Sequence, residues 1–398
     1  MIVFEFKLKG KKEQYLILDE MIRTANFIRN KALRYWLDNK GTSSNDLQKL
    51  CAVLAVEYEW AGKLNSQARQ ASADRAWLAI SRFYANCKAK KLGKKGFPKF
   101  KKKGHSVEYK TTGWKLSSDK KCLTLTDKFL AGKFKLIGTR DLDFYEKSQI
   151  KRVRIVKRAD GYYAQFCLNI DRKEEHNPTG AAVGIDVGLE YFYTDSEGNT
   201  VENPRYLRKS EKSLKRLQRR VSKKKKGSKN RQKARQKLAR KHLKVSRQRK
   251  DFAIKTARAL IQSRDLVAYE DLKVCNMVKN RRLAKSISDA SWSLFWEWVE
   301  VFGKIYGVEC RAVAPHYTSQ DGSNCNTRVP KALSNRTHQC PHCGLKLHRD
   351  HNAARKILSK ALGLSTEGHS ETWANAQNAW GENNLCLSQA IGLNKLAR

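Results

Sequence analysis

Three acidic residues lie at positions where their carboxylates could share divalent cations. Asp186 stands between two glycines in the run VGIDVG, Glu270 ends the run DLVAYE, and Asp350 precedes a segment with an apolar helical face. Alternation along the predicted strand places Asp186 on the glycine side, where bare backbone leaves room for a cation and a phosphate. Carboxylate oxygens are the hard ligands that Mg²⁺ prefers in proteins.

The elements around these acids predict how they could meet. Glu270 falls at the end of its predicted strand, which is where parallel sheets present their sites. Asp350, Ala354 and Ile357 follow helical spacing, and the alanines would let this helix approach the sheet closely. Two Mg²⁺ ions about 4 Å apart can clamp the attacking and leaving oxygens of a phosphodiester. A single acid at a strand end is more often a surface group or a cap, so the spacing alone leaves both interpretations open.

A second group of candidate ligands consists of three cysteines, Cys325, Cys340 and Cys343. A zinc ribbon uses two Cys-x-x-Cys knuckles to hold Zn²⁺ in a tetrahedron of ligands. Cys340 and Cys343 form one complete knuckle, but the other should begin at position 322, which is Gly322. We therefore expect zinc to be held weakly or not at all.

Three outcomes remain open for this incomplete ribbon. Asp321, His338, His316 or a water molecule could complete the ligand shell; the ribbon could pack without zinc; or it could be disordered. His338 lies two residues before Cys340, and we expect its side chain to point to the opposite face. One tightly held zinc per chain would contradict the expectation of a weak site.

The charge of the chain indicates a polyanionic partner. Its 82 Lys and Arg residues against 38 Asp and Glu give a net charge of +44, and such an excess repels itself unless a polyanion neutralises it. Nucleic acid is the main candidate, and an anionic membrane surface is the alternative. Residues 205–250 carry 23 of these cations with one acid, Glu211, and predict a basic helical hairpin broken at Gly227 and Ser228.

The termini and the most apolar stretch give no sign of secretion or membrane insertion. The first residues, MIVFEFKLKGKKEQ, do not resemble a signal peptide. The stretch ASWSLFWEWVEVFGKIYGVEC is interrupted by glutamates and a lysine, so it is not expected to span a bilayer. We therefore expect a cytoplasmic protein. Residues 363–398, rich in Gly, Ser and Asn, predict a flexible C-terminal tail.

The elements that must position these residues form an α+β, multidomain pattern. Residues 1–11 alternate like a strand, 12–92 have helical spacing, and 93–180 contain short alternating runs. We predict that the first strand joins the strands of 93–180 in an antiparallel barrel. Residues 181–362 mix strands and helices, carry all three acids and include a ribbon-like insertion at 316–348.

The motifs taken together resemble a known family. The series GIDVGLE, YEDL, CPHCG and HRDHNAARKIL is similar to the RuvC-type nuclease domain of the TnpB family. TnpB proteins are encoded by bacterial insertion sequences and are compact relatives of type V CRISPR effectors. The segments KNRRLAKSISDASWSLF and GFPKFKKKG also resemble TnpB sequences, and the similarity runs from the first residues to about residue 360.

The resemblance implies an RNA-guided DNA endonuclease. Its partners would be a guide RNA derived from the transposon end and double-stranded target DNA, which is cut beside a short adjacent motif with the help of two Mg²⁺ ions. Asp186, Glu270 and Asp350 match the family's catalytic, Mg²⁺-binding acids. Such a protein would work in the bacterial cytoplasm at the nucleoid, as a monomer or a dimer.

The resemblance also implies a domain layout. Residues 181–362 would form an RNase H-like (RuvC) α/β nuclease domain with a zinc-ribbon-like insertion. Residues 1–11 and 93–180 would form a wedge β-barrel, and 12–92 a helical recognition lobe.

The chain departs from the family at two places. His348 stands where the family has the first aspartate of Asp-Arg-Asp, and Gly322 stands where it has cysteine. Asp350 is taken as the catalytic acid because the Asn-Ala-Ala segment follows it closely. An RNA-guided DNA-binding protein that no longer cuts is therefore an alternative. A DNA-joining transposase with similar acids is another, but the ribbon inserted before the third acid argues against it.

Overall fold

The computed structural model describes residues 2–90, 93–332 and 335–363. The chain divides into two compact units, Met1–Asp171 and Arg172–Arg398, which are described separately below. Apart from its first residue, the predicted C-terminal tail lies outside the described residues.

The second unit begins with residues 172–180, which precede its first strand. The Glu174 amide donates to the Ile305 carbonyl at 2.9 Å, and the Gly180 amide donates to the Asp265 carboxylate at 2.6 Å. These bonds attach the segment to the elements that follow it.

The first unit combines four helices with one sheet. The helices are α1 (Lys12–Asp38), α2 (Ser44–Glu57), α3 (Glu59–Gly62) and α4 (Ser66–Lys88). The strands are β1 (Ile2–Lys9), β2 (Ser106–Tyr109), β3 (Trp114–Leu116), β4 (Cys122–Leu125), β5 (Gly132–Ile137), β6 (Ile150–Arg158) and β7 (Gly161–Leu168). They form an antiparallel sheet in the order β2-β6-β7-β1-β5-β4-β3.

The first strand lies at the centre of this sheet, as expected, between β7 and β5. Within the described residues no backbone ladder joins the edge strands β2 and β3, so the sheet is open where a closed barrel was predicted. The apolar faces of α1 and α4 instead cover it, and side chains from helices and strands bury one another in a common core that includes Met21, Ile80 and Phe166.

The second unit contains a mixed five-stranded sheet. Its strands are β8 (Ala182–Val187), β9 (Tyr191–Asp195), β10 (Thr200–Glu202), β11 (Leu266–Glu270) and β12 (Glu309–Val313), in the order β10-β9-β8-β11-β12. β8, β9 and β10 pair antiparallel, whereas β8, β11 and β12 are parallel. Because β8 and β11 are parallel, the chain must return to the end of the sheet at which β8 begins before it enters β11. Helices make this return connection.

The helices of this unit cover both faces of the sheet. They are α5 (Tyr206–Ser222), α6 (Lys229–Gln262), α7 (Val274–Met277), α8 (Ala284–Ala290), α9 (Trp292–Tyr306) and α10 (Arg349–Ala361). Apolar residues of α6 and α9 pack on one face with Val183, Ile185 and Val267. Helix α10 packs on the other face, where Ile357 and Ala361 contact Ala268. A small hairpin of β13 (Thr337–Gln339) and β14 (Lys346–His348) precedes α10.

The predicted basic hairpin is confirmed as α5 and α6. Leu214, Val221 and Leu238 form its apolar seam. Gly227 adopts a left-handed φ of 89°, and the Ser228 hydroxyl caps α6 by accepting from the Arg231 amide at 3.1 Å. The turn between α5 and α6 therefore lies at Gly227 and Ser228, as predicted. In the part of the chain that the structure describes, no helix combines the length and apolar character needed to cross a membrane.

Candidate active site and thiol cluster

Asp186 and Glu270 lie side by side at one edge of the second sheet. The parallel ladder between β8 and β11 pairs Ile185 with Tyr269, and the next residue on each strand is an acid. Ile185 and Tyr269 are buried in the core under α9. Because strand side chains alternate, the two acids point to the opposite face, where α10 packs.

Asp350 reaches the same edge from the first turn of α10. It is 4% exposed, and its amide donates to the His348 ring nitrogen Nδ1 at 3.3 Å, so His348 caps the helix. The position that a Cβ of Gly188 would occupy lies 3.7 Å from Asp350 Oδ2. Asp350 therefore lies above the end of β8.

Gly184 and Gly188, which lie two residues before and after Asp186, have different surroundings. Gly188 faces Asp350, in keeping with the expected room near the acids. Gly184 instead lies under α10, because a Cβ on it would come within 2.7 Å of the Leu358 amide nitrogen. The expectation that Gly184 leaves space for a cation and a phosphate is therefore wrong; a helix backbone fills that space.

Glu270 and Asp350 lie close enough to Asp186 to perturb its ionisation. Burial raises the pKa of Asp186 well above its usual range, the negative charges of Glu270 and Asp350 raise it further, and Arg349 opposes the change. Burial also raises the pKa of Glu270, against a hydrogen bond from Thr318 and the charge of Lys360. A site in which burial and like charge disfavour ionised carboxylates is one that a cation would stabilise.

The three carboxylates do not form a single tight ligand set. Among the described residues, the only group of three or more His, Cys, Asp or Glu whose ligand atoms all lie within 4.8 Å of one another is formed by cysteines, not by these acids. The arrangement suits Mg²⁺, which usually keeps several waters and takes only one or two carboxylates directly.

Sequence reasoning missed the neighbours that hold the carboxylates. Arg349 donates from Nε and Nη2 to Asp350 Oδ1 at 2.9 and 2.8 Å, and Arg336 Nη1 lies 3.7 Å from Asp350 Oδ2. The buried Thr318 hydroxyl donates to Glu270 Oε1. The position of Arg349 next to Asp350 was a usable signal, whereas nothing in the sequence links Thr318 to a strand end 48 residues earlier.

The three predicted zinc ligands, Cys325, Cys340 and Cys343, do come together. Their sulfur atoms all lie within 4.8 Å of one another, and the Cys325 and Cys340 sulfurs are 3.4 Å apart. Hydrogen bonds from Thr327, and then from the neighbouring thiols, lower the pKa of Cys325 to about 6. Against a hydrogen bond from the Leu345 backbone, hydrogen bonding with Cys325 and Cys340 raises the pKa of Cys343, so without a cation the cluster favours ionisation of Cys325 rather than of all its thiols. Three adjacent cysteine sulfurs are nevertheless a ligand set that Zn²⁺ uses.

The two halves of the ribbon share one pattern of backbone hydrogen bonds. In the complete knuckle, the Cys340 amide donates to the Leu345 carbonyl and the Gly344 amide to the Cys340 carbonyl. In the other half, the Gly322 amide donates to the Thr327 carbonyl and the Asn326 amide to the Gly322 carbonyl. The bonds join the same relative positions, and Gly344 and Asn326 both have left-handed backbones. Gly322 is thus the structural counterpart of Cys340.

Comparison with known proteins places this mixed α/β chain, with its acid cluster and thiol-bearing ribbon, in a class of transposon and CRISPR-related proteins. Residues 165–281 match the family model OrfB_IS605, described as "Probable transposase". Residues 292–357 match the TNB domain of the Cas12f1-like model.

Two curated bacterial relatives carry the name "Putative RNA-guided DNA endonuclease". The protein from Streptomyces pristinaespiralis is 39% identical over 192 residues, which is 48% of each chain, so the match spans about half of that relative. The Escherichia coli K12 protein, with the suffix InsQ, is 27% identical over 380 residues, covering 89% of this chain and 91% of its own. The matched family models and the names of these relatives support a TnpB family protein.

Two solved structures share the fold. The cryo-EM structure of a Cas12f1-sgRNA-target DNA complex aligns with a TM-score of 0.53 at 16% identity, over 87% of this chain and 83% of the other. The mini-RNA-guided endonuclease CRISPR-Cas_phi3 aligns with a TM-score of 0.57 at 10% identity, over 92% and 93%.

Proposed function

We propose that this protein is an RNA-guided DNA endonuclease of a bacterial insertion sequence, which cuts target DNA beside a short adjacent motif by Mg²⁺-dependent phosphodiester hydrolysis. The observation that carries the proposal is the approach of Asp186, Glu270 and Asp350 from three separate elements to one sheet edge. The names of the bacterial relatives support the same activity.

The proposed domain layout rests on the order of elements. The second sheet, with three antiparallel strands followed by two parallel ones and a helix over its acidic edge, fits an RNase H-like (RuvC) domain at 181–362. Residues 1–11 and 93–180 would then serve as the wedge sheet and 12–92 as the helical recognition lobe.

The three carboxylates would hold the Mg²⁺ ions. Bound Mg²⁺ would stabilise negative charge that develops on the phosphate oxygens and would favour deprotonation of the attacking water. The carboxylates supply hard oxygen ligands, and the raised pKa of Asp186 and of Glu270 shows that the site disfavours uncompensated negative charge. Positive charge placed there would keep the acids ionised at neutral pH.

Other residues of the chain would orient the acids and hold the nucleic acids. Thr318 fixes one oxygen of Glu270, and Arg349 fixes one oxygen of Asp350. The cations of the α5–α6 hairpin would neutralise phosphates of a guide–target duplex, which is recognised through its backbone rather than its sequence. Binding through that hairpin should therefore weaken steeply with salt.

The test is reconstitution with co-purified guide RNA, matched target DNA and Mg²⁺. Cutting is expected for the wild type and is expected to be lost in Asp186→Ala and Glu270→Gln, while guide-dependent DNA binding is retained. Asp251→Ala is a matched control, because Asp251 is an exposed acid that forms an ion pair with Lys255 on the same helix. Normal cutting by Asp186→Ala would overturn the assignment.

A guided DNA-binding protein that does not cut is the second candidate. Arg349 favours it, because two of its guanidinium nitrogens donate to the same Asp350 oxygen, Oδ1, which a cation would need. Tight, guide-dependent DNA binding without cutting at any Mg²⁺ concentration would support this alternative over the first.

A further inference from the structure

One buried nitrogen in the ribbon has no hydrogen-bond partner. His338 lies on β13 and is 0% exposed. Its Nε2 is fully enclosed and makes no hydrogen bond in the described residues. Buried polar atoms are almost always paired, so an orphaned imidazole nitrogen needs an explanation, and a bound ion is one.

The orphaned nitrogen faces the open corner of the thiol cluster. A Cβ built on Gly322 would lie 3.5 Å from His338 Nε2 and also 3.5 Å from Cys325 Sγ. Gly322 is the counterpart of Cys340, as the hydrogen bonds of the two knuckles show. His338 therefore points towards the corner where the fourth ligand belongs, and the expectation that it points to the opposite face is wrong.

We infer that His338 takes the place of the missing fourth cysteine and that the ribbon holds Zn²⁺ through three thiolates and one imidazole. Cys₃His is an established ligand set for structural zinc. The inference concerns a structural metal and does not depend on whether the protein cuts DNA.

Other candidate side chains in and beside the ribbon are engaged or exposed. The Asp321 carboxylate accepts from Arg328 Nε at 2.9 Å. His316 and His342 are exposed, and the His348 ring caps α10. Among these, His338 alone combines burial with an unused nitrogen.

Metal binding requires a small rearrangement around His338. Its nitrogen lies outside the group of ligand atoms that are mutually within 4.8 Å, so the imidazole must move towards the thiols. Lys331 Nζ now contacts His338 Nδ1. For Nε2 to present its lone pair to zinc, Nδ1 must carry the proton, so the Lys331 ammonium must withdraw.

The experiment uses the full chain with its co-purified RNA and measures zinc directly. Wild type is expected to retain one zinc per chain in elemental analysis. In competition with a chelator, His338→Ala is expected to lose at least tenfold in zinc affinity. Substitution by Co²⁺ should give the absorption of a three-sulfur, one-nitrogen site in the wild type.

Position 322 offers a matched rescue. Gly322 has an ordinary φ, and a Cβ there meets nothing closer than 3.5 Å, so Gly322→Cys should be accommodated and should complete a four-sulfur site. The double variant Gly322→Cys/His338→Ala should regain tight zinc binding, with a four-sulfur Co²⁺ spectrum. This regain would also show that His338→Ala has not simply unfolded the ribbon.

Two results would overturn the inference. One is equal zinc affinity in wild type and His338→Ala. The other is a wild type that binds no zinc while Gly322→Cys binds one. Neither readout uses DNA cutting, so failure of the zinc site and failure of the proposed nuclease activity are distinguished.

Discussion

At the scale of single residues, two carboxylates of the acid cluster, Glu270 and Asp350, are held by neighbouring side chains. Thr318 donates to Glu270 from a buried position. Replacing it by valine should free Glu270 to rotate, and losing such an outer partner of a metal ligand typically costs about 10- to 100-fold in metal affinity or activity. We expect Thr318→Val to require more Mg²⁺ for half-maximal cutting.

Thr318→Ser is the control for this prediction, since it keeps the hydroxyl and removes only a methyl group. It should cut nearly as well as the wild type. Equal Mg²⁺ requirements for the valine variant and the wild type would show that Thr318 does not position Glu270.

A second prediction concerns Asp127 in the first unit. It is buried and accepts from the Tyr109 hydroxyl at 2.8 Å, and burial raises its pKa from 3.8 to about 6. Between about pH 4 and pH 6 the unfolded chain therefore releases this proton while the folded chain keeps it, so stability falls as pH rises. Asparagine cannot ionise and still accepts from Tyr109.

Asp127→Asn should therefore stabilise the first unit at pH 8, by about 2 kcal/mol, and the gain should vanish near pH 4. Calorimetric melting across this pH range provides the measurement. Asp38→Asn, at an exposed carboxylate of α1, is the control and should change stability little. An Asp127→Asn effect that does not vary with pH would contradict the predicted titration.

At the scale of elements, the site depends on how closely α10 approaches β8. Alanine at position 184 would place its Cβ 2.7 Å from the Leu358 amide nitrogen, and backbone cannot yield as a side-chain tip can. Gly184→Ala should therefore displace α10 and destabilise the second unit by about 3 kcal/mol, near the upper end of typical overpacking costs. Thermal melting measures this effect.

Ser359→Ala is the control, because Ser359 lies on α10 itself and is only partly buried, so the change removes one oxygen without adding volume between α10 and β8. It should melt close to the wild type. A Gly184→Ala protein as stable as this control would show that α10 does not rest on β8 as described.

The sequence predicts elements better than it predicts how they meet. Alternation in VGIDVG and DLVAYE was enough to place Asp186 and Glu270 at strand ends, and Gly227 marked the hairpin turn correctly, since these signals are local. The contact of Gly184 with α10 and the direction of His338 were missed because they depend on packing between segments distant in sequence. The open first sheet was missed because alternation shows which face is buried but not whether the edges join.

At the scale of the whole molecule, the net charge of +44 is the dominant property. Such a charge destabilises the folded chain through self-repulsion until a polyanion neutralises it. Protein freed of RNA should therefore melt at a lower temperature than the complex, and the difference should shrink as salt is raised. Melting curves with and without RNA at two salt concentrations test this.

A neutral polymer of similar size is the control and should leave the melting temperature unchanged. If RNA removal leaves the melting temperature unchanged at low salt, charge repulsion is not a significant cost for this fold.

The pairing of Ile185 with Tyr269 has a consequence for how this sequence can change over time. Deleting or inserting one amino acid within β8 would shift the strand by one residue, so that its side chains exchange faces. Asp186 would then point into the apolar interior and an aliphatic side chain would point into the site. Loops lack this two-residue alternation, so a change in their length does not turn side chains to the opposite face. Length variation among descendants of this gene should therefore accumulate in its loops, while the count of residues in this short strand stays fixed even where their identities drift.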